Sequence, residues 1–417
     1  MSIKHWRVRL ATFAMVLLSR FRERGLSWAV RGLIRRFGIE FAWALLLPVA
    51  AVGHLLGFRR INVRTEHIGH LSAEPDALIK ELRLGLLPSR RWLLLAPPGC
   101  VSNQHLLRYW DEFFTVVRSP WKCAVLGWMS RHFLMKHDVD NYVGKFFGTQ
   151  AIYRVNALWD RRPPVLSLRN DDIVWGRGML HRLGVPEDGW FVAVHVREGG
   201  FLPGNEILQS HRNANIANAI PAMLEIVRRG GVCIRMGDRS MTPLPAMPGV
   251  IDYAHHSLKS DRLDVILCAK ARFFLGCTSG LAFVSTIFGV PVAHANMIPI
   301  ETLGIRYCDL SIPKLLWSNQ LGRYLSFREI FSSEVGGYFF TKQYADADIS
   351  IEENTADDIK GLVVEMIERL LGQFVECEED RLLHEQYKTL FRPGHYSWGA
   401  TSSVGIDFLR RHKHLLK

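Results

Sequence analysis

The 417-residue chain lacks every cysteine pattern that marks a disulfide framework or a zinc site. Its seven cysteines (100, 123, 233, 268, 277, 308 and 377) are odd in number, scattered, and never form a CxxC pair. Reduced thiols in a cytosolic setting are the reading that fits. The sequence also contains no GxxxxGK[ST] loop and no HExxH, and no DxD follows a strand-like run; Asp138-Val139-Asp140 is a DxD by letter that falls in a polar loop. No metal or other cofactor is expected, so developing anionic charge must be met by Arg, Lys and helix N-termini. Low-complexity stretches are missing too. With 48% hydrophobic and 22% charged residues the chain reads as globular, and its length exceeds what one core of about 250–300 residues can serve. Two domains are expected.

What the chain has in excess is positive charge, formally +12. Much of it lies in the first 64 residues, where Lys4, Arg7, Arg9, Arg20, Arg22, Arg24, Arg31, Arg35, Arg36, Arg59, Arg60 and Arg64 face only Glu23 and Glu40. Within this region Ile39 to Phe58 is apolar but interrupted by Glu40, Pro48 and His54, with arginines on both sides. That symmetry gives no orientation for a span and suits a segment lying on one leaflet. Residues 1–58 are therefore expected to form a basic, apolar, helical membrane-associating segment. It would place the protein on the cytoplasmic face of a membrane, with an anionic membrane surface as partner. Ordinary helices packed on the first domain are the plainer reading. Ser19-Arg20-Phe21-Arg22 after the Ala11–Leu18 run is no signal-peptide cleavage site, and the interleaved large aliphatics speak against nucleic acid.

Beyond residue 58, strand-like runs at Arg60–Arg64 (leading into Glu66-His67-Ile68-Gly69-His70-Leu71) and Arg91–Ala96 enclose a helix over Asp76–Leu84, with another helix over Asn103–Phe114. This gives a first α/β domain over 59–185. A second, over 186–375, opens on Trp190–Val196 and continues with strands at Gly231–Met236, Val250–Tyr253, Arg272–Gly276 and Val290–Ala293 separated by helical stretches. Such alternation predicts a doubly wound parallel sheet. Residues 376–417 read as C-terminal helices.

Ligands of open parallel sheets collect at the carboxyl ends of strands, which singles out four places. After the 190–196 run, His195 and Arg197 fall on one side of the strand, followed by Glu198; Arg197 could hold a diphosphate bidentately, or pair with a local carboxylate while His195 packs in the core. Arg235 and Asp238 follow the next run and could reach phosphate or a sugar hydroxyl, or serve a turn. Cys277-Thr278-Ser279-Gly280 sits between strand and helix, where unpaired backbone N–H groups can meet phosphate oxygens; a plain N-cap is the alternative. In the first domain, Gly69, His70 and Asn103 are candidates for the acceptor side, with His70 alternatively a capping residue. His195, Glu198 and His70 are the candidate general bases.

The segments HIGHL (67–71), SNQHLLRYW (102–110), HVRE (195–198), SHRNANIANAIPAM (210–223), IRMGDRSM (234–241) and FFLGCTSGLAFVSTIFGVP (273–291) resemble a family of bacterial surface-carbohydrate glycosyltransferases of the GT-B class. The His-x-Arg element with a later serine-rich loop is also similar to GDP-sugar-using fucosyltransferases, which would give Arg197 and Ser279 donor contacts; Glu198 and the lack of a second Arg depart from that form. The resemblance implies a GT-B-like fold of two Rossmann-like domains facing a cleft, the first for acceptor and the second for a nucleotide-sugar. Donor and acceptor stay open in the resemblance; the basic N-terminal segment together with the diphosphate-type constellation points to transfer onto a lipid-linked or surface-glycan acceptor in cell-surface polysaccharide biosynthesis, with inversion expected. A nucleotide-sugar epimerase and a non-catalytic membrane-associated carbohydrate-binding protein are the rivals.

Overall fold

The computed structural model describes residues 37–417 apart from 39, 42, 131–134, 138–148 and 201–202. Residues 1–36 of the expected membrane segment and Asp138-Val139-Asp140 thus lie outside the described residues. Residues 37–55 are helical at all described positions, and no helix among the described residues is long and apolar enough to cross a membrane.

The first sheet has four parallel strands in the order β3-β2-β1-β4: β1 (Phe58–Ile61), β2 (Arg91–Leu95), β3 (Thr115–Val117) and β4 (Lys136–His137). The strand expected at Arg60–Arg64 runs instead over Phe58–Ile61, and Glu66–Leu71, into which it was expected to lead, enters a helix, Ile68–Arg83. Ile68, Leu71, Pro75, Leu78, Ile79 and Leu82 recur at helical spacing, so the apolar stripe begins eight residues earlier than the expected start at Asp76. His67 stands at the N-cap without a side-chain cap bond.

The second sheet is wholly parallel. Its strands β5 (Trp190–His195), β6 (Gly231–Arg235), β7 (Val250–Ile251), β8 (Phe274–Gly276), β9 (Val292–Met297) and β10 (Leu310–Pro313) follow the order β10-β9-β8-β5-β6-β7. The chain winds outward from β5 to β7, then returns to the other side of β5 with β8, so the winding reverses between β5 and β8. A small antiparallel sheet of β11 (Leu315–Ser318), β12 (Arg323–Tyr324) and β13 (Ile349–Glu352) flanks it. The C-terminal stretch, expected as helices alone, also supplies β14 (Ser403–Val404), which extends the large sheet beyond β10.

β5 is buried on both faces, as a central parallel strand must be. Val192 and Val194 join one core with Ala222, Ile226 and Leu362. Phe191 and Ala193 join another with Leu263, Ala282 and Val284, and that core runs on into Ile61, Leu71 and Leu94 of the first lobe. The lobes are therefore joined by apolar packing instead of only facing one another. A polar clasp reinforces the junction: buried Asp172 accepts from His105 Nε2 at 2.9 Å, Arg262 Nε at 2.7 Å and the Tyr109 hydroxyl. All seven cysteines are free, with Cys100 and Cys377 exposed.

The Ile68–Arg83 helix buries Asp76, Lys80 and Glu81. Lys80 Nζ lies 2.6 Å from Asp76 and donates to Asn156 Oδ1 at 2.8 Å. Glu81 is fully buried with neither carboxylate oxygen hydrogen-bonded, and burial, opposed by Arg154, pushes it up from 4.5 to about 8. A folded value above the unfolded one means that stability is whole below about pH 4.5 and is lost as pH rises through about 8. Glu81→Gln, which keeps the neutral shape, is expected to raise the thermal midpoint at pH 8 and leave it nearly unchanged at pH 5. Equal shifts at both pH values in thermal denaturation would contradict this.

Candidate functional site

The reversal between β5 and β8 brings two strand ends together. His195 and Gly276 are register partners, and the next residues are Val196-Arg197 on one side and Cys277–Gly280 on the other. The Arg197 N–H donates to Cys277 Sγ at 3.1 Å, so the two loops are tied directly. Cys277 is buried, and burial raises its thiol, which makes it a structural acceptor and no nucleophile. Thr278 Oγ1 accepts the Ile298 N–H at 3.1 Å. Ser279 N-caps the helix Gly280–Ile287 by accepting the Leu281 N–H at 3.4 Å, and no acidic residue stands in its first turn. The positive end of this helix is thus not offset by a carboxylate of its own.

Arg212 is the residue that sequence reasoning quoted within SHRNAN without giving it a role. Its Nε and Nη2 both donate to the Thr278 carbonyl, at 3.1 and 2.7 Å, and Nη1 donates to Gln209 Oε1 at 2.6 Å. Burial beside Arg197 lowers it to about 10. Arg197 itself takes the plainer of its two expected readings: Nη2 donates to Glu206 at 3.1 Å, and Nη1 to the Gln209 carbonyl at 3.1 Å and to Asn213 Oδ1. Lys314, buried and lowered by that burial, donates to the Asn213 carbonyl at 2.6 Å. Three cations converge behind one turn, and the chain segment 206–213 holds them there.

Other sequence-derived candidates are committed elsewhere. Arg235 is fully buried and donates to Glu198 and Asp252, each at 2.9 Å, and to the Thr242 carbonyl at 3.0 Å. Glu198 also accepts the Thr242 N–H at 2.8 Å. These two expected site residues neutralise each other, which corrects a donor contact for Arg235 and a base role for Glu198. Asp238 accepts the Ser240 N–H at 2.8 Å in a turn. Asn103, expected on the acceptor side, is buried and caps its helix through the Leu106 N–H at 2.7 Å while donating to the Asp261 carbonyl at 3.0 Å. His195 is buried with Nδ1 unpartnered, and burial together with Arg235 lowers it to about 4; a base that weak is poorly matched to neutral pH.

Gly69 and His70 meet the turn from the other lobe. A Cβ on Gly69 would lie 2.7 Å from Gly280 Cα, and one on Gly280 would lie 2.8 Å from Gly69 N, so only glycine fits at either place. His70 hydrogen-bonds Glu74, remains about half exposed, and sits edge-on to His67 at 5.7 Å between ring centroids. The hollow touching the turn, lined by Val196, Asn215, Leu275, Cys277 and Asn296 among others, is apolar and far smaller than a nucleotide. Among the described residues, no group of three or more His, Cys, Asp or Glu is placed to hold a metal ion.

No protein-family model matches the sequence, and no curated protein matches it. Among solved structures, dodecameric iron-containing heptosyltransferase TibC in complex with ADP-D-β-D-heptose is similar over 75% of this chain and 76% of its own, at 12% identity and TM-score 0.40. The ADP-heptose LPS heptosyltransferase II of E. coli is similar over 57% and 84%, at 11% and 0.36. A glycosyl transferase family 9 protein from Veillonella parvula DSM 2008 is similar over 57% and 80%, at 10% and 0.38. At these values the likeness assigns no activity to this chain.

Glu198→Ala removes one of the two carboxylates that meet buried Arg235 and leaves Asp252 in place, so it is expected to lower the unfolding free energy by about 1.5–3 kcal/mol, the worth of a hydrogen bond to a charged group, in urea denaturation. A variant as stable as the parent would restore Glu198 as a residue free for chemistry.

Proposed function

We propose that this chain is a GT-B-like glycosyltransferase that takes a sugar from a nucleoside diphosphate donor, with the diphosphate held at the Cys277–Gly280 turn. The carrying observation is the turn itself: it lies at the reversal of a wholly parallel sheet, opens a helix with no acidic first-turn residue, and is backed by Arg212 and Arg197. Transfer breaks the bond between the anomeric carbon and the diphosphate, so negative charge grows on the departing oxygens. Backbone N–H groups of the turn meet that charge, and the guanidinium of Arg212, held on the Thr278 carbonyl behind the turn, adds its positive field, a division of labour that needs no metal.

In this reading His70 is the base, in place of His195 and Glu198. Its ring is oriented by Glu74, is accessible, and stands on the helix whose tip touches the donor turn. It would take the proton of an acceptor hydroxyl as that oxygen attacks the anomeric carbon from the side opposite the leaving diphosphate, giving inversion. The acceptor is a membrane-proximal glycan or lipid-linked sugar, reached at the cytoplasmic face of the bacterial inner membrane during surface polysaccharide synthesis. The hollow at the turn is too small for a nucleotide as it stands, so donor entry requires residues around Cys277 to move.

A ligand that binds only the folded form raises its stability. In thermal denaturation with EDTA present, at least one of ADP, GDP or UDP is expected to raise the midpoint, and Arg212→Ala to abolish the shift. His70→Ala is expected to keep the shift while losing transfer. No shift with any of the three at millimolar concentration sinks the proposal.

A further inference from the structure

Two helices of the first lobe carry apolar stripes that no part of the described chain covers. Along residues 37–55, Phe37, Phe41, Leu45, Val49, Val52 and Leu55 are all exposed, Leu55 by 83%; their spacing of four, four, four, three and three puts them on one face. On the helix Pro120–Met129 the exposed large residues are Trp121, at 66%, Val125 and Trp128, again one face, opposite buried Cys123. The two helices end beside each other. Arg60 donates to Ser130 Oγ, the residue following the second helix, at 3.1 Å, and its N–H donates to the Met135 carbonyl at 2.7 Å. Gly53, near the end of the first helix, comes so close to Met135 that a Cβ would lie 3.2 Å from its sulfur.

Charge names the occupant. At the foot of the first helix stand Arg59, Arg90 and Arg91; Arg91 lies over the Phe58 ring at 5.4 Å, and Arg90 is near enough to Arg59 to lower its pKa, after burial. No ion pair among the described residues involves any of the three. A second copy of the chain would bring like charges together, whereas an anionic bilayer offers acyl chains to the stripes, the headgroup zone to the tryptophans and phosphates to the arginines. We infer that residues 37–55 and the Pro120–Met129 helix dock together on an anionic membrane surface, with Trp121 and Trp128 as a second anchoring element beside the N-terminal one. The inference deepens the membrane-proximal part of the proposed function and rests on it only for the identity of the acceptor.

Co-sedimentation of the full chain with phosphatidylcholine vesicles, with and without phosphatidylglycerol, tests it. Binding is expected only with phosphatidylglycerol. The pair Trp121→Ser and Trp128→Ser should weaken it at least about tenfold, the scale of two lost aromatic burials, as should Val49→Ser with Val52→Ser, while thermal midpoints stay close to the parent. Undiminished binding by the tryptophan variant overturns the inference, because the anchor then lies elsewhere. Absence of parental binding overturns it as well, whether the chain is monomeric, with the face covered by its own residues 1–36, or forms a dimer that the tryptophan variant dissociates. Vesicle binding requires no nucleotide, so it can fail while the nucleotide-induced midpoint shift holds, and the reverse.

Discussion

The backbones of Gly69 and Gly280 touch, and this contact governs what the rest of the molecule can do. It brings the amino ends of two helices, one from each lobe, to the same point, where both dipoles present their positive poles. Arg212 stands close by, lowered by burial and by Arg197, and its charge adds to the burial and the neighbouring His70 that lower the His67 imidazole. Such an arrangement is electrostatically unfavourable on its own and is relieved by an anion. The same close approach that demands glycine therefore also sets the sign of charge that would be drawn to this point.

Buried charge elsewhere serves to keep that point in place. Arg235, Glu198 and Asp252 lock the loop after β5 to the loop after β6, and Arg197, Glu206 and Asn213 lock the loop after β5 to the segment that carries Arg212. Neither network adds much to stability compared with apolar packing, yet either becomes expensive if one partner is lost. Their value lies in fixing geometry, since each joins residues that the chain alone would leave free to move. Asp172 fastens the lobes as well, and the Ile68–Arg83 and Gly280–Ile287 helices share one apolar core beside the glycine contact.

The parts of this design written in continuous apolar runs were legible in the sequence. β5, β6 and β8 are buried on both faces, and the short polar turns that end them stood out, including Cys277–Gly280 and its link to Arg197. The helix that HIGHL opens was read as starting only at Asp76, because Pro75 within its apolar stripe disguised the continuity. The partners of Arg235 are 37 residues away at Glu198 and 17 away at Asp252, separations at which sequence spacing carries no information about contact. Arg212 was hidden for the same reason, since its importance comes from the Thr278 carbonyl 66 residues distant. β14, two residues long, leaves no periodic signature at all.

The distribution of thiols gives the molecule a built-in pair of handles. Cys123, Cys233, Cys268 and Cys277 are buried, and Cys308 is pushed up to about 12 by burial beside Asp309, so maleimide chemistry would find mainly Cys100 and Cys377. The first lies on the loop after β2 and the second at the start of the helix Glu378–Lys388, one in each lobe. Donor and acceptor dyes placed there would report the distance between lobes by energy transfer in the native sequence, without an engineered label site.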